Sequence, residues 1–343
     1  MSRETGSAEE FARAQAQTLR HYGVDAESRF IDVDAVGRAH VLVAGDGPPV
    51  MMVIGGGLPA AMWAPLMAEL DGFTLHAVDL PGLGLTGPAT FSAVTVRSFA
   101  VEFLDQVREG LGLDRPVLVG QSIGGQWSTW MALDRPEHVP ALALIACPAA
   151  MLGTSAPLPH RLVSVPGLGR LLTHLVPPSP AQIDRLARAA GEDFTDHPHL
   201  RSLLLAAHRL PTWSPSLITT VRSVVGIRGA RPQVVLTPDE LARISQPVQL
   251  VWGRDDTFGP PAIGERAADL IPDADLHVIP GGHGPWFRHA QHVGERLAPF
   301  LRKSTTTTTP PAPATELGSS RSRRDRRSRA QGDHSTAVSG SGL

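Results

Sequence analysis

The chain has 343 residues, of which 42% are hydrophobic, enough for one large α/β domain with an insertion or for two modest domains. Its formal net charge of −2 attracts it neither to nucleic acid nor to a membrane surface. The single cysteine, Cys147, excludes an intrachain disulfide and is typical of a reducing compartment. The N-terminus has no apolar signal region and the longest apolar runs are strand-sized, so we expect a cytoplasmic protein without a membrane span.

The first part of the chain alternates between strand-like and helix-like segments. Residues 1–28 predict a helical, solvated lead-in, and residues 29–148 predict the first part of an α/β core. Six apolar runs in that core predict strands: SRFIDVD, RAHVLVAG, PVMMVIGGG, TLHAVDLPGLG, PVLVGQS and ALALIACPA. Helical spacing of apolar residues in VRSFAVEFLDQVREGLGL and a helix from QWSTWMALDRPEHV separate the later runs. This alternation is typical of a parallel sheet covered by helices on both faces.

The pattern changes twice in the second part of the chain. Residues 149–243 contain four helical pieces divided by prolines and short polar turns, which predict a helical insertion. The core resumes over residues 244–303 with the strands PVQLVWGRDD and ADLHVIPGGH, each followed or preceded by helix. Residues 304–343 have almost no apolar content and predict a disordered, solvated tail. Its arginine run could contact a polyanion, but Asp325 and the lack of interleaved aromatics disfavour nucleic acid.

The stretch RPVLVGQSIGGQW contains the strongest candidate for chemistry. Its Gly120-Gln121-Ser122-Ile123-Gly124 turn lies between a buried strand and a helix. A Gly-X-Ser-X-Gly turn in this context strains the serine backbone and projects its hydroxyl at the carboxyl edge of the sheet. The peptide N–H of Ile123, at the start of the helix, can face a developing oxyanion. Taken alone, the pentapeptide also fits a tight turn with an incidental serine.

Two further strand ends carry small or acidic residues. Gly55, Gly56 and Gly57 follow a buried strand, where glycine N–H groups can converge on a bound oxygen, although a flexible loop explains the glycines equally well. Trp63 is expected to pack the helix that follows. Asp79 in AVDLPGLG is expected to be a structural, turn-forming aspartate.

A serine nucleophile needs a base, and the base needs an acid that fixes its tautomer. Asp256 ends the strand QLVWG, and it fits the acid role better than Asp255, which is nearer the strand and suited to capping the turn. His283 lies in the small-residue loop GGHGP after the last strand, where an imidazole can turn toward a neighbouring strand end. No pair among the 14 histidines has metal-ligand spacing with partners, so we expect no metal site.

In the chain order Ser122, Asp256, His283, these residues resemble the α/β-hydrolase superfamily. AVDLPGLGLTG, LVGQSIGGQW, VWGRDD and IPGGHGPW resemble the family's segments after the fourth strand, at the nucleophile, at the acid and at the histidine. The resemblance covers residues 29–301 and implies a mostly parallel eight-stranded sheet flanked by helices, with an α-helical cap inserted after the sixth strand. It also implies a Ser-His-Asp triad, with the N–H groups of Gly57 and Ile123 as oxyanion donors.

The chain departs from the family pattern at three places. Gly55 stands where the family often has a histidine, which loosens the expected oxyanion geometry within Gly55–Gly57. Serine at the nucleophile position argues against dehalogenase and epoxide hydrolase activity, because those members of the fold use aspartate. The segment Arg288-His289-Ala290 replaces a frequent Glu-x-Pro, a change expected to affect packing only.

The resemblance implies a serine hydrolase, carboxylesterase-like, that cleaves a small ester-like substrate through an acyl-enzyme. The alternatives are a C–C bond hydrolase of a ring-cleavage diketone, a haloperoxidase-type enzyme, a ligand sensor with a slow or inactive triad, and a scaffold acting through the tail. Leu, Val and Ala in the insertion, with Trp213, indicate either an apolar pocket or ordinary helix packing. We expect a small-molecule substrate, no cofactor, and no metal, membrane or nucleic-acid partner; a homodimer is left open.

Overall fold

The computed structural model describes residues 2–146, 148–154, 156–175 and 177–306. Cys147 and the predicted tail from residue 307 onward lie outside the described residues. The strands are β1 (Ala26–Val33), β2 (Gly37–Ala44), β3 (Pro49–Val53), β4 (Thr74–Val78), β5 (Val117–Gln121), β6 (Leu142–Ile145), β7 (Val225–Gly226), β8 (Gly229–Ala230), β9 (Val248–Gly253) and β10 (Ala274–Ile279). The α-helices are α1 (Ser2–His21), α2 (Ala64–Met67), α3 (Val96–Gly110), α4 (Ile123–Asp134), α5 (Leu158–Val163), α6 (Leu168–Leu175), α7 (Pro180–Ala189), α8 (Pro198–His208), α9 (Trp213–Val224), α10 (Pro238–Ala242), α11 (Pro261–Leu270) and α12 (Trp286–Thr306).

Eight strands form one sheet in the order β1-β2-β4-β3-β5-β6-β9-β10. The β1/β2 and β2/β4 pairs are antiparallel and the remaining pairs are parallel. The predicted eight-stranded, mostly parallel sheet is therefore confirmed. Because β3, β5, β6, β9 and β10 run in the same direction, the loops that follow them meet at one edge of the sheet.

The central strands are buried because helices cover both faces of the sheet. Every residue of β5, β6 and β9 is buried, which explains their near-continuous apolar sequences. The helix α4 packs against β3, β5 and β6, and its first ten residues are all buried. The edge strand β1 is largely exposed.

The helical insertion follows β6, the sixth strand of the sheet, and ends before β9. It contains α5 to α9, the small β7–β8 hairpin and α10. The helix α5 was not among the four predicted pieces. The prolines at its start, Pro157 and Pro159, suggested a turn, whereas proline near the first helical position is compatible with a helix start.

The predicted lead-in is helical but it is not solvated along its length, so that part of the prediction is wrong. Phe11 and Thr18 of α1 are fully buried, because the apolar side of α1 packs against α8. The Thr18 hydroxyl lies 3.3 Å from the carbonyl oxygen of His199, to which it donates, and Arg209 forms an ion pair with Glu10. The first strand begins at Ala26, inside the predicted lead-in.

The last helix, α12, runs past the predicted start of the tail. Ser304 and Thr305 are buried, and the Thr305 hydroxyl donates to the carbonyl oxygen of Leu301 at 2.9 Å. The composition of these residues suggested disorder, but the structure places them in the final turns of the helix. In the part of the chain that the structure describes, no helix has both the length and the apolar character needed to cross a membrane.

Asp79 has the structural role that was predicted for it, whereas the ring contact of Trp63 is with α12 and the prediction was for the helix that follows Trp63. The Asp79 carboxylate is fully buried and accepts hydrogen bonds from the peptide N–H groups of Ala60 and Leu85, at 2.6 and 3.0 Å. Trp63 is fully buried and its ring lies against that of Trp286, with centroids 4.3 Å apart. Both contacts fix loops near the carboxyl edge of the sheet.

Candidate active site

Ser122 lies between β5 and α4 with a backbone conformation that L-residues rarely adopt. Its φ and ψ are 52° and −118°, and only three non-glycine residues in the described ranges have a positive φ. A Cβ on Gly124 would overlap the carbonyl oxygen of Val53, and one on Gly120 would lie 2.7 Å from the Cα of Gly125. The two glycines therefore allow α4 to approach β3 and β5, and this tight turn holds the serine in its strained conformation.

Asp256 and His283 meet across the loops that follow β9 and β10. The Nδ1 atom of His283 lies 3.0 Å from both carboxylate oxygens of Asp256. The Asp256 side chain is fully buried and also accepts the peptide N–H of Phe258 at 2.9 Å. Asp255, the alternative acid, is exposed. The carboxylate that faces the imidazole is therefore that of Asp256.

A cavity of about 730 Å³ joins the predicted site residues. Ser122 and His283 line it together with Gly57 and Ile123, whereas Asp256 lies behind the imidazole. The insertion supplies much of the apolar wall, through Leu162, Leu172, Leu186, Leu204, Leu217 and Val221. The cavity is thus a largely apolar chamber between the carboxyl edge of the sheet and the insertion, the kind of site that binds small organic molecules.

Both predicted oxyanion donors border this cavity. Ile123 is the first residue of α4, so its N–H has no acceptor inside the helix. Gly57 has a φ of 85°, and its carbonyl oxygen accepts the indole N–H of Trp213 at 3.0 Å. Neither peptide N–H donates a hydrogen bond to another described residue. The Trp213 indole, on α9, therefore holds the Gly55–Gly57 loop, in which Gly55 replaces the histidine that the family often has.

Several contacts around His283 were not predicted from the sequence. The Phe258 ring stacks on the imidazole, with centroids 4.0 Å apart and planes inclined by 24°. The side-chain amide of Gln121 donates to the His283 carbonyl oxygen at 2.9 Å. Glu192, from the insertion, accepts the N–H groups of Gly282 and Gly284. Because Gln121 precedes Ser122 in the predicted serine turn, its polar side chain was a possible signal of a contact near the site. Nothing in the sequence around Glu192 indicates which residues it contacts.

Two histidines of the cavity wall, His160 and His208, are held neutral by burial. Burial, with the nearby charge of His283, lowers the pKa of His160 to about 4. Burial alone lowers the pKa of His208 to about 3, and its ring packs on that of Trp213 with centroids 3.6 Å apart. At neutral pH the cavity therefore gains no positive charge from these two imidazoles. Within the described ranges, no cluster of three or more His, Cys, Asp or Glu side chains could hold a metal ion.

A second serine, histidine and aspartate align toward the β1 edge of the sheet. Ser28 Oγ lies 3.0 Å from His40 Nε2, and His40 Nδ1 lies 2.7 Å from Asp79 Oδ2. Ser28 is exposed on the edge strand β1, has no positive φ and does not line the cavity. Matching side-chain types alone therefore do not distinguish Ser122. Its strained turn, its helix N-terminus and the cavity distinguish it.

A family model described as the alpha/beta hydrolase fold matches residues 48–290. Since this match spans more than half of the chain, the protein belongs to the alpha/beta hydrolase fold family. The resemblance read from the motifs is confirmed, and so is the prediction of an α/β-fold hydrolase.

Known proteins similar to this chain include esterases and other hydrolases. A pimeloyl-(acyl-carrier protein) methyl ester esterase of Shewanella oneidensis is 27% identical over 272 residues, covering 76% of this chain and 94% of the relative. A 2-hydroxy-6-oxononadienedioate/2-hydroxy-6-oxononatrienedioate hydrolase of a Pseudomonas species is 26% identical over 297 residues, covering 80% and 97%. The crystal structure of carboxylesterase CesB from Bacillus subtilis aligns with a TM-score of 0.69 at 24% identity, covering 86% of this chain and 98% of that one, a likeness of fold alone.

Proposed function

We propose that this protein is a serine hydrolase that cleaves a small, largely apolar ester through an acyl-enzyme. The observation that carries the proposal is the strained Ser122 turn, which opens into the same apolar cavity as the imidazole of His283. The contact between His283 Nδ1 and the buried Asp256 carboxylate supports a base whose tautomer is fixed.

In the first step, Nε2 of His283 takes the Ser122 hydroxyl proton as Oγ attacks the ester carbonyl carbon. The carbonyl oxygen gains the electron pair, and the N–H groups of Gly57 and Ile123 donate to this oxyanion. The tetrahedral intermediate then collapses, and His283 returns the proton to the departing alcohol. This leaves an acyl-enzyme on Ser122.

In the second step, His283 takes a proton from a water molecule that attacks the acyl carbon. A second tetrahedral intermediate forms at the same donors, and its collapse releases the carboxylic acid and returns the proton to Ser122 Oγ. Asp256 stabilises the imidazolium in both steps without taking the proton itself. The cycle consumes one water and needs no cofactor.

The cavity favours an uncharged acyl or alcohol group. Its wall is mostly aliphatic and aromatic, and burial keeps His160 and His208 neutral at neutral pH. The esterase relative is named for a methyl ester, which supports ester cleavage as the reaction. In this proposal the helices α5–α9 act as a cap over the site, and the protein works in the cytoplasm on a small-molecule substrate.

The nucleophile is tested by active-site labelling with a fluorophosphonate, beside p-nitrophenyl ester hydrolysis. Wild type is expected to label and to turn over, and Ser122→Ala to lose labelling and several orders of magnitude in rate. Ser28→Ala is the matched control, because Ser28 also contacts a histidine held by an aspartate. Labelling that persists in Ser122→Ala would remove the proposal. Labelling by wild type without turnover on any ester would favour the ligand sensor instead.

A second candidate is a hydrolase of C–C bonds in ring-cleavage diketones. It is favoured by the 26% identical relative named as a 2-hydroxy-6-oxononadienedioate/2-hydroxy-6-oxononatrienedioate hydrolase, which covers most of this chain. A ring-cleavage product carrying the 2-hydroxy-6-oxo dienoate group loses its visible absorbance when it is cleaved. Cleavage of that compound with a kcat/KM well above that for every ester would select this candidate over the esterase.

A further inference from the structure

The segment that leaves α7 contacts the loop of His283 along three consecutive residues. The His283 peptide N–H donates to the Ala190 carbonyl oxygen at 2.9 Å. The N–H groups on either side, those of Gly282 and Gly284, both donate to Oε1 of Glu192, at 2.8 and 3.0 Å. The insertion therefore accepts every peptide N–H of the loop from Gly282 through Gly284.

The two segments approach so closely that Gly282 and Gly191 have no room for a side chain. A Cβ on Gly282 would lie 2.5 Å from the Ala190 carbonyl oxygen, and one on Gly191 would lie 2.6 Å from the Asp255 carbonyl oxygen. Gly191 also has a φ of 76°, which favours glycine. The loop after β9 also contacts this segment: the Thr257 hydroxyl donates to the Ala189 carbonyl oxygen at 2.8 Å.

Glu192 is unusual in its burial. Its side chain is 2% exposed, and its second oxygen, Oε2, has no hydrogen-bond partner among the described residues. The charged group nearest to it is Arg288 of α12, whose Nε lies 3.6 Å from Oε2. A buried carboxyl with one unsatisfied oxygen is costly, so its contacts with the histidine loop offset a real penalty.

We propose that Glu192 is a positioning residue for His283. A single carboxyl oxygen holds the peptide groups on both sides of the histidine, while the neighbouring Ala190 carbonyl holds its own N–H. Glu192 thereby couples the placement of the insertion to the placement of the imidazole. This inference rests on the proposed function, because it assumes that His283 is the base. The position of the His283 imidazole can also be measured without any enzymatic turnover.

The variants Glu192→Gln and Glu192→Asp separate position from charge. Glutamine keeps an acceptor oxygen at the same reach but removes the charge, whereas aspartate keeps the charge and withdraws the oxygen by one methylene. A positioning role predicts that Glu192→Gln stays within about threefold of the wild-type kcat. It predicts that Glu192→Asp and Glu192→Ala lose about tenfold to a hundredfold in kcat with little change in KM. Asp193→Asn, at the exposed neighbouring carboxylate, is the matched control and should match wild type.

The turnover-independent readout is the imidazole resonance of His283 in protein with ¹⁵N-labelled histidine. The resonance is assigned by its loss in His283→Gln, since the chain has 14 histidines. It should shift or broaden in Glu192→Asp and stay unchanged in Glu192→Gln and Asp193→Asn. If Glu192→Ala does not fold, the aspartate variant carries the test.

Three outcomes are decisive. An unchanged His283 resonance in folded Glu192→Asp would overturn the positioning role, whatever the activity. A larger kcat loss in Glu192→Gln than in Glu192→Asp would also overturn it, since charge and not reach would then matter. If the wild type cleaves no ester but the resonance responds as expected, the proposed function fails and the positioning role stands.

Discussion

The side chain of Gln121 holds the backbone of His283. Its amide Nε2 donates to the His283 carbonyl oxygen at 2.9 Å, across 162 positions of sequence. The residue before the predicted nucleophile thus fixes the residue predicted to be its base. Glu192 holds the same loop from the insertion side, so the histidine lies between two buried polar contacts that belong to different parts of the fold.

We expect Gln121→Met to reduce activity more than stability. Methionine fills a similar volume but donates no hydrogen bond, so the buried His283 carbonyl loses its partner at a cost of about 1–3 kcal/mol. Because the loop then shifts, we expect kcat to fall about tenfold or more. Steady-state ester hydrolysis and urea denaturation check both effects.

The control for this variant is Gln246→Met. The Gln246 amide also donates to a buried carbonyl oxygen, that of Ala132 at 3.0 Å, but it does not line the cavity. We expect it to lose stability on the same scale while its kcat stays near that of wild type. Equal kcat losses in the two variants would show that Gln121 acts only through stability.

Asp256→Asn is expected to lower kcat by about three to four orders of magnitude while the fold is kept. Both carboxylate oxygens of Asp256 can accept the Nδ1 proton of His283, whereas asparagine has only one acceptor oxygen and carries no charge. The imidazole can therefore adopt the wrong tautomer, and the imidazolium is no longer stabilised. Asp255→Asn provides the comparison, because Asp255 is adjacent but exposed. Circular dichroism and kcat for both variants make the test; similar losses would contradict the assignment of the acid.

Gly124→Ala is expected to destabilise the protein by several kcal/mol or to prevent folding. The added Cβ would overlap the carbonyl oxygens of Val53 and Ile54, which belong to backbone that cannot move without disturbing β3. Gly6→Ala is the contrasting substitution, since a Cβ there meets nothing within 4 Å and lies in a helix. We expect Gly6→Ala to be neutral or to add up to about 1 kcal/mol. Guanidinium unfolding of both proteins measures the difference.

The free energy of unfolding should depend on pH through the titration of Glu192. Burial raises its pKa to about 7 from an ordinary 4.5, opposed by the N–H groups of Gly284 and Gly282 and by the charges of Arg288 and His283. The folded protein therefore binds this proton more tightly than the unfolded chain. The resulting stabilisation is complete below about pH 4.5 and is lost as the pH rises to about 7.

Glu192→Gln removes this titration, so its free energy of unfolding should fall less than that of wild type between those two pH values. The full difference is on the order of 3 kcal/mol, from about 1.4 kcal/mol per pKa unit. Other groups titrate in both proteins and cancel in the difference. Urea unfolding at several pH values measures it, and parallel curves for the two proteins would contradict the raised pKa.

Local patterns in the sequence specify much of the fold. Eight predicted strand segments correspond to the eight strands of the main sheet. The buried strands β5, β6 and β9 follow from continuous apolar sequences, whereas the edge strand β1 is largely exposed and has a mixed sequence. Amino-acid composition is less informative about which elements pack against each other in the folded protein. The polar sequence of α1 suggested solvent exposure, but α8 covers the side of α1 that carries its apolar residues. The prolines at the start of α5 suggested a turn where a helix begins.

The sequence by itself determined the sheet, the strained serine turn and the order Ser122, Asp256, His283, because strand burial and turn chemistry depend on residues adjacent in the chain. The tertiary structure alone decided what supports the histidine. Gln121, Glu192 and Phe258 reach His283 or its loop only after strand ends and the insertion have come together. Those contacts join residues up to 162 positions apart, and no local period or motif encodes them.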